Sequence, residues 1–129
     1  MKSTLAYALA AATLAGLGLA GAADATPKPL TRILLTITSG ATGDVKEVYL
    51  GCRPTGGNHP NAALACDALH DAGGDFDKLT TAPDAICPMI YEPVVAEAVG
   101  IFDNAPVRWK KQFGNSCDLN AKTGKVFAF

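Results

Sequence analysis

The sequence predicts an α+β domain in which helix covers an antiparallel sheet, and three features carry that reading. β-branched, apolar segments stand toward both ends of the chain with a helical pattern between them. The links between neighbouring segments are short, which favours antiparallel pairing. Four cysteines, Cys52, Cys66, Cys87 and Cys117, all follow a segment laid out like an export signal, and an even count in that setting reads as a disulfide framework.

The chain has 129 residues, room for one domain once a leader is set aside. Met1-Lys2 is a short positive start, Leu5 to Ala20 carries no charge, and the small residues Gly21 to Ala25 follow. That order matches a secretory signal with an A-x-A-like cut, after Ala25 or two residues earlier. The apolar run is shorter than the ~20 residues a spanning helix needs. Residues 1–25 are therefore read as a signal peptide and residues 26–129 as the domain of a secreted, extracellular protein. Cutting there removes Lys2 and Asp24 and leaves the formal charge at −1. No basic stripe emerges, so nucleic acid is not an expected partner, nor is a membrane after cleavage.

Thr26 to Pro29 is a polar, proline-rich lead expected to be extended. Thr31 to Thr38 is β-branched and apolar, a strand, and Ser39 to Asp44 is a glycine-bearing turn. Val45 to Gly51 reads as a second strand antiparallel to the first. Thr55-Gly56-Gly57-Asn58 breaks the pattern, and a helix follows. Asn58 or His59 suits its cap, Pro60 its first turn and Gly73-Gly74 its end. Ala62, Ala65, Cys66, Leu69 and Ala72 fall on one side of that helix, a narrow stripe that lets it lie close on a sheet. Asp75 to Thr80 reads as one more helical turn.

Pro83 to Pro93 holds three prolines and a cysteine. It cannot be a central strand, because proline has no N–H for the ladder, and it reads as a rigid surface loop. Val94 to Phe102 and Val107 to Phe113 read as strands around Asp103-Asn104, and Lys125 to Phe129 as a last short strand. No internal repeat or second domain is evident.

Catalytic material is scarce. Beyond the leader the only serines are Ser39 and Ser116 and the only histidines His59 and His70, both read as solvated or capping. A Ser-His-Asp arrangement would need a coincidence of fold. Thirteen residues separate Cys52 from Cys66, and no CxxC or HxxxH spacing suggests zinc. No cofactor, metal or enzymatic activity is expected.

The loop Ile86-Cys87-Pro88-Met89-Ile90-Tyr91-Glu92-Pro93 is the remaining candidate. Pro88 fixes its own φ and restrains Cys87. Ile90 is β-branched and stiff, and Pro93 restrains the exit. Met89 stands between these restraints, long and apolar. A preorganised, extended segment can enter a protease cleft at little entropic cost. The alternative is a core methionine between prolines that merely end strands. Four cysteines allow three connectivities, which spacing does not resolve.

The chain resembles the Streptomyces subtilisin inhibitor family from about Leu30 to Phe129. The likeness rests on Cys52-Arg53-Pro54, Gly57-Asn58-His59-Pro60, Cys66, the block Cys87-Pro88-Met89-Ile90-Tyr91-Glu92-Pro93-Val94, Phe113-Gly114-Asn115-Ser116-Cys117, and the ending Val126 to Phe129. The resemblance implies a two-layer α+β sandwich, a five-stranded antiparallel sheet with one longer and one short helix. It also implies disulfides Cys52–Cys66 and Cys87–Cys117 and a homodimer packed through the sheet. The implied function is inhibition of subtilisin-like serine proteases. The reactive bond would be Met89–Ile90, with Ile86, Cys87, Pro88 and Tyr91 in the protease cleft and Asn115 bracing the loop from behind. Phe102 departs from the family's usual tryptophan and Trp109 from its common tyrosine, which bears on packing through the sheet. A rival reading is a secreted transglutaminase substrate or non-inhibitory binding protein on the same fold, with Gln112, Lys110 and Lys111 as the reacting side chains.

Overall fold

The computed structural model describes residues 29–79, 82 and 84–129, with Gly16 and Gly18; the signal peptide expected over residues 1–25 otherwise lies outside the described residues, as do Thr80 and Pro83. In chain order the elements are β1 (Thr31–Ser39), β2 (Val45–Cys52), β3 (Gly56–Gly57), α1 (Ala62–Asp71), a 3-10 turn (Phe76–Lys78), β4 (Val94–Phe102), β5 (Ala105–Phe113) and α2 (Ser116–Thr123). The strands form one sheet in the order β3-β2-β1-β4-β5, and every pairing is antiparallel. None of the described helices is long and apolar enough to cross a membrane.

Strand alternation sets the layers. Ile33 and Leu35 on β1, Val48 and Leu50 on β2, and Ala96, Ala98 and Phe102 on β4 turn inward and are buried, as the period of two requires. Ala65, Cys66 and Leu69 of α1, Leu119 of α2, and Phe76, Val126 and Phe127 close over them. The small side chains of Ala96 and Ala98, both fully buried, leave room for this covering layer. Burying a side chain of leucine or phenylalanine size contributes about 1.5–3 kcal/mol, so this single cluster supplies the main cohesion.

The ends of α1 show how local sequence sets its limits. Its N-cap is Asn61, which makes no side-chain capping bond; Pro60 therefore stands before the cap rather than in the first turn. Instead the Asn61 N–H donates to His59 Nδ1 at 2.9 Å. At the other end the Gly73 N–H donates to His70 O and the Gly74 N–H to Leu69 O, the paired bonds of a Schellman stop, with Gly73 at φ 63° where a side chain is disfavoured.

Two expectations are corrected. Lys125 to Phe129 is not a strand: Val126 and Phe127 are both buried, which an alternating strand on a two-layer sheet does not allow. The tail lies in turns, with Val126 O against His59 Nε2 at 2.8 Å and Ala128 O accepting from Asn61 Nδ2 at 3.2 Å. The fifth strand is instead Gly56–Gly57, paired to Leu50 and Gly51. Second, β5 begins at Ala105, because the edge position tolerates Pro106 and Asp103 and Asn104, with φ of 45° and 67°, form a two-residue hairpin turn. Ser116–Thr123 form α2, on which the sequence pattern gave no reading.

Phe102 and Trp109 face the covered side rather than the open one. Phe102 is buried against His70, and the Trp109 ring stacks on Phe76 at 5.3 Å. Trp109 Nε1 donates to Asp77 at 3.0 Å. Both side chains therefore belong to the inner layer of the sheet. At the start of β1, Leu30 is pinned to the β4–β5 turn: its N–H donates to Asn104 Oδ1 and its carbonyl accepts from Asn104 N, each at 3.0 Å.

Candidate functional site

Residues 84–93, between the 3-10 turn and β4, form no helix or strand, in keeping with the two prolines, Pro88 and Pro93, in that stretch. Met89 is 104% exposed, Ile86 96%, Tyr91 75% and Ile90 54%. Single exposed apolar side chains are ordinary, but four within six residues make a patch of the kind that marks a contact surface. The core-methionine alternative does not hold.

Stiffness comes from tethers on both sides of Met89. The Cys87–Cys117 disulfide joins the loop to the first turn of α2, and Cys52–Cys66 joins the end of β2 to α1. Asn115 is the N-cap of α2, and its Oδ1 accepts from the Asp118 N–H at 2.8 Å. That bond fixes the orientation of the amide, so Nδ2 faces the loop with both its hydrogens. It donates to Pro88 O at 3.2 Å and to Ile90 O at 2.9 Å. One amide therefore grips the carbonyls on either side of Met89, and the helix cap holds the amide. The backbone adds two ties: the Glu92 N–H donates to Gly114 O at 2.9 Å and the Gly40 N–H to Pro93 O at 2.8 Å. Among the described residues, neither the N–H nor the C=O of Met89 takes an internal partner.

Met89, Ile90, Ile86, Cys87, Pro88 and Tyr91 are thus brought together with Asn115 and Cys117, while Cys52 at the end of β2 and Cys66 in α1 join the sheet to the covering layer elsewhere. Gln112 lies in β5 with its Nε2 3.5 Å from the Tyr91 hydroxyl, and Lys110 and Lys111 are exposed on the same strand. The histidines take structural partners. His59 is buried, with Nδ1 accepting from Asn61 N and Nε2 therefore donating to Val126 O. His70 is half-buried, its Nδ1 3.2 Å from Arg53 Nη2 and 4.0 Å from Asp103. Sequence reading did not foresee the Gly40 and Gly114 ties; a glycine in each of two turns was the only signal.

Such an arrangement holds one peptide bond tethered on both sides and accessible, with a long apolar side chain projecting. It suits the role of a substrate mimic more than that of a catalyst. Residues 29–115 match the family model described as subtilisin inhibitor-like. The chain is 37% identical over 127 residues to a subtilisin inhibitor of Streptomyces albogriseolus, covering 92% of this chain and 88% of that one. It is 37% identical over 123 residues to a trypsin inhibitor of Streptomyces longisporus, covering 86% and 85%. Among solved structures it superposes on Streptomyces caespitosus sermetstatin, crystallised in complex with Bacillus licheniformis subtilisin. The TM-score is 0.67 and the identity 31%, over 78% of this chain and 99% of that one.

Proposed function

The chain belongs to the subtilisin inhibitor-like family, and on that premise we propose that it is an exported inhibitor of subtilisin-like serine proteases with Met89–Ile90 as its reactive bond. The observation that carries this reading is the single amide of Asn115 holding the carbonyls of Pro88 and Ile90 while Met89 stands fully in solvent between them. A protease holds its target in one fixed conformation across the cleft, and here the loop is already restrained before binding, so little entropy is lost on association. Contact of the ordinary size for this class, roughly 1,600 Å² in total, is expected.

Slow turnover follows from the same tethers. Attack of the protease serine on the Met89 carbonyl carbon breaks the bond to Ile90, whose nitrogen leaves as an amine. Cys87–Cys117 keeps the acyl side in place, and the bonds to Ile90 O, Glu92 N and Pro93 O keep the amine side in place. The amine stays beside the ester, and re-formation of the peptide competes with water.

Specificity rests on Met89. An uncharged side chain forms no ion pair in an acidic, trypsin-type pocket, so subtilisin is the favoured target and trypsin a poor one. The protein also pairs with a second copy through the outer face of the sheet, where Tyr49 and Val99 flank Leu34 across neighbouring strands and Ile101 stands nearby.

Titration of subtilisin with the purified protein tests the reading. Near-stoichiometric loss of activity is expected, weakened by Met89→Gly, and Met89→Lys should gain inhibition of trypsin. Full residual activity with steady digestion of the oxidised protein would overturn it.

A further inference from the structure

The turn between β1 and β2 lies against the exit of the reactive loop, and nothing in the substrate-like contact requires it to be there. The Gly40 N–H donates to Pro93 O at 2.8 Å. A Cβ at Gly40 would stand 2.9 Å from Pro93 O and 3.1 Å from Pro93 Cγ, closer than packed atoms allow. The φ of Gly40 is not in the left-handed region, so glycine is required here for approach rather than for backbone shape.

The turn itself is braced. The Ser39 N–H donates to Asp44 O and the Gly43 N–H to Ser39 O, each at 2.8 Å. Thr42 Oγ1 donates to Asp44 Oδ2 at 2.8 Å and accepts from Asp44 N at 3.2 Å. A clash at Gly40 would therefore fall on Pro93. Beyond Pro93, Val94 is already fixed opposite Ser39 and Phe113, so the displacement would run back toward Ile90.

We propose that Gly40 is a positioning residue for the inhibitory reaction: the β1–β2 turn clamps the leaving side of the Met89–Ile90 bond and keeps the released amine in place for religation. The proposal rests on the assignment of Met89–Ile90 as the reactive bond. In the clamped step the peptide C–N bond breaks, the protease serine oxygen bonds to the Met89 carbonyl carbon, and the Ile90 nitrogen takes a proton. Religation reverses each change and restores the serine hydroxyl. The disulfide holds only the acyl side, so the amine side depends on this clamp and on the Gly114 and Asn115 ties.

The test is Gly40→Ala, with three readouts on the oxidised protein: the inhibition constant for subtilisin, the ratio of intact to clipped chain at equilibrium with catalytic subtilisin, and the melting temperature. The constant is expected to rise about tenfold, a fraction of the ~100-fold that a 1 Å misplacement can cost, and the ratio is expected to move toward the clipped form. Unchanged constant and ratio would overturn the clamp. Loss of melting temperature alone would also overturn it, since a merely structural glycine does that. If the wild-type protein fails to inhibit, the functional reading falls instead. Should Gly40→Ala not fold, hydrogen exchange at the Gly40 amide of clipped wild-type protein decides: protection supports the clamp, and free exchange overturns it.

Discussion

At the scale of single residues, Asn115 performs two tasks through opposite ends of one amide. Its oxygen caps α2 and its nitrogen holds the loop, and two substitutions separate them. Asn115→Asp keeps an oxygen for the Asp118 N–H, and a carboxylate is favourable at a helix N-terminus, but it presents no donor to the two carbonyls. Asn115→Ala loses both tasks, with about 1 kcal/mol for the cap. We expect the Asp variant to melt near the wild type yet inhibit subtilisin roughly tenfold or more weakly, in keeping with two lost hydrogen bonds. Thermal melts alongside inhibition constants check this, and an Asp variant of undiminished potency would show that the carbonyl grip is dispensable. Asn115 was legible only through the resemblance. Of the two roles read for His59, solvated or capping, the solvated one fails: a histidine beside a helix start looks polar, but its ring is buried and its partner, Val126, lies 67 positions further along the chain.

Among the elements, the two disulfides do different work although chain-entropy arithmetic rates them alike. Closing loops with separations of 14 and 30 residues stabilises by about 3 and 3.6 kcal/mol in that model. Replacing both Cys52 and Cys66 with serine should lower stability while leaving the loop intact. The same change at Cys87 and Cys117 should turn the protein into a substrate. Measured by the survival of the Met89–Ile90 bond under subtilisin at a temperature where both variants remain folded, the second pair should be cut much faster; equal rates would deny the loop disulfide its role. Strands β1, β2, β4 and β5 and helix α1 were legible because their alternation and helical spacing are regular. Helix α2 was not. Only Leu119 and Thr123 are buried in Ser116–Thr123, so no stripe advertises it, and its cap lies in a segment that also reads as a turn. The tail was misassigned for the reverse reason: Val-Phe-Ala-Phe has strand composition, but its carbonyls are taken by His59 and Asn61 side chains rather than by a neighbouring strand.

For the whole molecule, the sheet has one covered face and one open one. The open face carries Tyr49 and Val99 at 59% and 38% exposure on either side of Leu34, with Ile101 at 37%, more apolar surface than charged strands usually show to water. Val99→Asp should yield a monomer by sedimentation with an unchanged inhibitory end point, because the open face and the reactive loop are separate surfaces. A wild-type protein that sediments as a monomer would remove the dimer from the account. The two ends of the domain are also separate. Leu30 is fastened at the β4–β5 turn, whereas Gly40 and Pro93 meet at the opposite end of the nine-residue β1, about 30 Å away at the usual rise of a strand. Anything fused ahead of Pro29, such as a bead linker, a display scaffold or a reporter domain, is therefore held a full strand length from Met89, and an immobilised molecule presents its bait outward to a passing protease.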